Sequence, residues 1–121
     1  RSQLVVARWF AAHGWPHAES TGSGRPGVDV LGMPGLAVEV KARKDFSPLA
    51  WLRQAALQRV GMPVVVFRPN GLGEQSVGSW GVLLTLQHAT ELLREAGYGS
   101  EAVQVPGDQP EQARENQIEE R

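Results

Sequence analysis

The chain has 121 residues, 41% hydrophobic and 21% charged, which suits one compact domain with a core that needs no covalent staples. It contains no cysteine, which excludes disulfides, thiolate zinc sites and cysteine nucleophiles and fits a reducing cytoplasm. No apolar run approaches the roughly 18 residues of a membrane span, and no basic-then-apolar leader opens the chain, so a soluble protein with no membrane partner is expected. The net charge of -1 conceals an asymmetry. Residues 1–68 hold nine Lys/Arg against four Asp/Glu, whereas residues 69–105 and 106–121 each come to -3. A basic front half is compatible with a polyanionic partner, and the near-neutral total argues against indiscriminate nucleic-acid binding.

In chain order, Ser2 is placed to cap a helix over 2–13, with Val5, Val6, Trp9, Phe10 and Ala12 at helical spacing and Gly14 with Trp15-Pro16 as the stop. A short strand is expected over 17–20. The run TGSGRPG is loop by composition. Residues 28–31 and 36–43 read as a hairpin around Gly32-Met33-Pro34-Gly35. In its second arm Leu36, Val38 and Val40 face one way and Ala37, Glu39 and Lys41 the other. Asp45 or Ser47 can cap a second helix with Pro48 in its first turn, ending at Gly61. The valine-rich run 62–67 has the pattern of a strand covered on both faces. A loop over 71–78, a last strand over 79–86 and a short helix over 87–96 follow. From Pro106 the chain is acidic and nearly devoid of aliphatic residues, the composition of a flexible tail. The expected fold is therefore α/β, a mixed sheet flanked by helices in a single domain over 1–105, with a parallel pair joined through the second helix.

The informative stretch is GVDVLGMPGLAVEVKAR, residues 27–43. Glu39 and Lys41 lie two apart on one strand and share its face. Asp29 falls opposite Glu39 if Met33, Pro34 and Gly35 form a three-residue loop with Gly35 left-handed. A two- or four-residue loop places Asp29 opposite Val38 unless a bulge restores the register. Two carboxylates at such close range repel unless a cation lies between them, and hard oxygen ligands suit Mg²⁺ or Mn²⁺. With Lys41 alongside, that set describes metal-assisted phosphodiester hydrolysis. The simpler account of the same residues is a solvated Glu-Lys pair and an ordinary turn aspartate. His13 suits a helix C-terminus, His17 and His88 lack ligand spacing, and Trp9, Trp15, Trp51 and Trp80 read as packing residues.

With these residues in place, the chain resembles the PD-(D/E)xK nuclease superfamily, through Asp29 on one hairpin strand and Glu39-Val40-Lys41 on the next. Within it the chain is most similar to the small Holliday-junction-resolvase-like proteins of actinobacterial phages and prophages. The segments that carry the likeness are HGWPHAE (13–19), the D…GMPGLAVEVKA hairpin (29–42), AWLRQA (50–55), PVVVFRPNG (63–71) and SWGVLLTL (79–86). The resemblance implies a restriction-endonuclease-like αβββαβ core. It implies metal ligation by Asp29, Glu39 and the backbone carbonyl of Val40, with Lys41 completing the site. Gln54 or Gln58 would brace Lys41 or touch DNA. Relatives place a further Glu on the first helix where this chain has Gln3, so either Gln3 serves as a weaker ligand or the acid lies upstream of Arg1.

The function expected from this resemblance is a Mg²⁺- or Mn²⁺-dependent, structure-selective DNA endonuclease, a Holliday junction resolvase of a bacterial cell or phage-infected host. Arg25, Arg43, Lys44 and Arg53 would hold the phosphate backbone. Such resolvases act as homodimers, for which Trp51, Leu52 or the last strand and helix offer apolar surface. The alternatives are a restriction, repair or toxin nuclease with another nucleic-acid substrate, and a non-catalytic DNA-binding module on the same fold.

Overall fold

A computed structural model describes residues 1–22 and 27–99. Arg25 and the acidic stretch 106–121 lie outside the described residues. The chain divides into two compact units, Arg1–Thr85 and Leu86–Arg121. The first is α/β: α1 (Ser2–Ala12), β1 (Glu19–Ser20), β2 (Val30–Leu31), β3 (Leu36–Lys41), α2 (Pro48–Ala56), β4 (Met62–Phe67) and β5 (Gly81–Leu83), with short 3₁₀ turns over Glu74–Ser79. The strands form one five-stranded mixed sheet in the order β1-β2-β3-β4-β5. Only β3 and β4 are parallel; the other neighbours run antiparallel. In the second unit, α3 (Leu86–Glu95) presents exposed Leu86, Leu92 and Leu93.

The two faces of the sheet follow from strand alternation. Val38 and Val40 of β3 and Val64 and Val66 of β4 pack with Val6 and Ala7 of α1, together with Val30, Met33 and Trp80. Burial of each valine contributes roughly 1.5 kcal/mol or more. On the opposite face Val65 packs with Trp51 and Ala55 of α2, and Leu52, Phe67 and Leu83 close over them. Trp51 is therefore spent on its own unit's core, not left free for a second subunit.

β4 spans the expected residues and α3 the expected length, whereas α1, β2, β3, α2 and β5 are shorter than the sequence pattern suggests. Ser2 lies inside α1 and does not cap it; its hydroxyl accepts a hydrogen bond from Arg68 instead. Ser47 precedes α2 without a side-chain cap. That helix ends at Ala56 because the next residues close into turns and Arg59 adopts φ +55°. The last strand is confined to Gly81–Leu83, and α3 starts at Leu86 rather than Gln87. Among the described residues no helix is long and apolar enough to cross a membrane.

The start of β4 depends on Gly61. Its φ is +155°, and a Cβ there would collide with the backbone of Gly35 at the point where Met62 N–H donates to the Gly35 carbonyl over 2.8 Å. Gly61→Ala is expected to cost about 2–4 kcal/mol, because neither backbone can retreat without breaking the β3–β4 register. A urea melt reads this directly, and a midpoint equal to wild type would show that the close approach is not needed.

Candidate metal and phosphate site

The hairpin turns through the three-residue loop Met33-Pro34-Gly35. Val30 pairs with Val38, Leu36 N–H donates to the Met33 carbonyl over 3.0 Å, and Gly35 is left-handed at φ +79°. That pairing does not run on to Asp29, whose N–H turns to the Val38 carbonyl, so its side chain rather than the ladder register brings it to Glu39. Asp29 stands just before β2; its N–H donates to the Val38 carbonyl over 3.0 Å, and its Oδ2 accepts the Val40 N–H at 2.8 Å. The carboxylate thus takes the place of a backbone acceptor and is held against β3. Since the N–H and C=O of a strand residue leave on the same side, the Val40 carbonyl points toward the Asp29 edge as well.

Glu39 lies on the α2 face, flanked across the sheet by Val65 in register and by Asp29. It is 1% exposed, and its Oε2 is buried with no hydrogen-bond partner. Burial, then the charge and proximity of Asp29, push its carboxyl up to about 7, with Lys41 pulling weakly the other way. An ionised carboxylate in this position, with one oxygen unsatisfied and a second acid beside it, is the electrostatic complement of a hard cation. Asp29, Glu39 and the Val40 carbonyl are the groups that could hold one. Among the described residues no cluster of three or more His, Cys, Asp or Glu exists, so such a site would rest on two carboxylates and neutral oxygens.

Lys41 projects from the same face of β3, and its Nζ donates to Gln54 Oε1 of α2 over 2.6 Å. Of the two glutamines considered on that helix and its exit, Gln54 is the one that reaches the lysine. Gln3 is half-buried on α1 and its Oε1 accepts from the Ser20 hydroxyl at 3.2 Å. Ser20 pairs with Val30, whose side chain belongs to the core on the α1 face, so the structure places Gln3 with that face rather than with Glu39 and Lys41. Arg43, Lys44 and Arg53 are exposed. Arg43 and Lys44 join Lys41, Asp45, Ser47 and Gln54 in lining an open groove of about 600 Å³ against the start of α2, whereas Arg53 does not line it. The residues that sequence reasoning missed are the ones that set the chemistry of this face. Val65 removes water from Glu39, and Phe46 stands exposed beside the cationic groove. Lys44-Asp45-Phe46-Ser47-Pro48 carries no periodicity from which the second could be read.

Comparison with protein-family models, curated proteins and solved structures gives no match to this chain.

The raised Glu39 carboxyl has a definite sign in stability. The folded chain holds this proton up to about pH 7, the unfolded chain only to about 4.5. Between those values the folded state binds more protons, so stability falls as pH rises and the full cost, up to about 3 kcal/mol, is present above pH 7. Thermal melts in chelator from pH 5 to 8 are expected to show that decline. Glu39→Gln should flatten it and melt higher than wild type at pH 8; an undiminished slope in E39Q would assign the pH dependence elsewhere.

Proposed function

We propose that this protein is a divalent-metal-dependent, structure-selective DNA endonuclease of Holliday-junction-resolvase type, built on a restriction-endonuclease-like core and acting as a homodimer in a bacterial or phage-infected cytoplasm. The observation that carries the reading is the buried apposition of Asp29 and Glu39 with an unsatisfied Glu39 oxygen, next to a lysine on the same strand face. A bare pair of that kind is destabilising, and a bound Mg²⁺ or Mn²⁺ would reverse the sign of the interaction. The element order α1-β1-β2-β3-α2-β4 agrees with an αβββαβ core.

In this reading Asp29, Glu39 and the Val40 carbonyl hold the metal, which when bound supplies Lewis acidity toward a phosphodiester and lowers the pKa of water. Lys41, steadied by Gln54, presents its ammonium group to the charge that develops on the phosphate. The groove lined by Arg43 and Lys44 receives the flanking phosphates, with Arg25 and Arg53 as further contacts. A second reading, a DNA-binding module without cleavage, is favoured by one feature: Gln3 is neutral and already engaged with Ser20.

The deciding experiment is cleavage of a labelled four-way junction and of duplexes of matched length across a Mg²⁺, Mn²⁺ and Ca²⁺ series. Cutting is expected in Mg²⁺ or Mn²⁺ with preference for the junction. Asp29→Ala and Glu39→Ala should each reduce the rate at least about 100-fold, and Lys41→Gln about 100- to 1,000-fold, without loss of fold. Equal cutting of junction and duplex would reject the resolvase assignment. Binding without cutting in either metal would favour the second reading, and wild-type rates in the two alanine variants would remove the proposed site altogether.

A further inference from the structure

Phe46 is a large aromatic side chain left 56% exposed in the loop between β3 and α2. Its ring does not hang free. It meets Trp51 edge-on at 5.3 Å between centroids and 87°, and Phe67 at 5.2 Å and 61°. Phe67 is itself confined, because its ring lies across Gly81 where any Cβ would collide with it. Phe46 is therefore a braced aromatic surface rather than a mobile one.

Its surroundings separate it from an ordinary lid over the core. In register Phe67 is the β4 neighbour of Lys41. A recess of about 130 Å³ is lined jointly by Phe46, Lys41, Arg43 and Lys44, together with Phe67 and Asn70. The open groove beside it carries the same three cations and one acid, Asp45, so cationic charge predominates. A rigid aromatic surface bordered by phosphate-binding charges is the combination by which proteins hold single-stranded nucleic acid. The cations follow the backbone, and the ring accepts whichever base is turned out. A regular duplex keeps its bases stacked inside and offers none to such a ring.

We propose that Phe46 is a stacking platform for an unpaired base of a DNA strand whose phosphates lie along Arg43 and Lys44. The inference rests on the nuclease reading of the adjoining site and narrows its substrate class to DNA with an unstacked nucleotide near the scissile phosphate.

The test is binding of an oligothymidylate strand and of a blunt-ended two-strand duplex with the same number of phosphates, by fluorescence anisotropy in EDTA over a salt series. Phe46→Leu, which keeps apolar bulk over Trp51 and Phe67, is expected to weaken binding of the single strand about ten-fold and of the duplex less than about two-fold. The salt slope should stay unchanged, since stacking releases no counterions, whereas Arg43→Ala with Lys44→Ala should reduce it. Phe46→Trp should bind like wild type. An independent measurement on the unaltered protein is ultraviolet crosslinking to a strand carrying 5-iododeoxyuridine, with the adduct expected on Phe46. Undiminished single-strand binding by F46L, equal loss on both DNAs, or an adduct confined to other residues would overturn the platform while leaving the nuclease reading intact. Failure of the wild-type protein to bind the single strand would likewise overturn the platform, whereas it is the junction-cleavage series that can overturn the nuclease reading.

Discussion

The interaction that sets the chemistry of the first unit is the meeting of two carboxyl groups beside the β2–β3 hairpin, one of them almost wholly removed from water. Nothing in the apolar core requires an acid at position 39. A valine there would continue the row shared with Ala37 and Val65 and remove the penalty of desolvating a carboxylate. A chain that keeps glutamate at such a place accepts lower stability locally, and local electrostatic cost of this kind is the usual mark of a binding or catalytic site.

That cost is tolerable because the surrounding frame is independently well held. The opposite face of the sheet buries α1 against five valines and Trp80, and neither acid belongs to that cluster. On the α2 face the parallel β3–β4 pair extends over six residues, so Glu39 sits mid-ladder, where its backbone cannot retreat from the unfavourable environment. Asp29 is fixed differently. It lies outside the regular part of β2, and its carboxylate bonds to the Val40 N–H, so side-chain chemistry sets its position. The two acids thus converge through unrelated local interactions, one by strand register and one by a side-chain-to-backbone bond.

The same face distributes its chemistry along a short path. From the Asp29 edge, the order is a pair of acids, the Lys41 ammonium held by Gln54, the cations Arg43 and Lys44, and the braced ring of Phe46. The two acids lie at one end of this path and the cations predominate at the other, where Asp45 also lines the groove. The helix α2 contributes to every part of this path after the acids: Trp51 and Ala55 pack it onto the sheet, Gln54 reaches the lysine, and its N-terminal approach carries the cations and Phe46.

Much of this was legible in the residue order. Two-residue alternation in Leu36–Lys41 separates the valines from Glu39 and Lys41, the run Met62–Phe67 announces a strand covered on both sides, and the Met33-Pro34-Gly35 loop permits the Val30–Val38 register. These are local properties, set by pleat geometry and by the left-handed conformation glycine tolerates. Helix and strand ends were less well marked, because Ser2 and Ser47 have capping chemistry that tertiary contacts did not use. The neighbours of each side chain across the sheet were decided only by folding. The placement of Val65 beside Glu39 depends on pairing segments 26 residues apart, and it turns an ordinary glutamate into a buried one. The selection of Gln54 over Gln58 follows from how α2 lies on β3, and the bracing of Phe46 from where Trp51 and Phe67 come to rest. Composition and spacing specify which groups are present and which share a strand face; desolvation and long-range packing, which no local pattern encodes, determine what those groups can do.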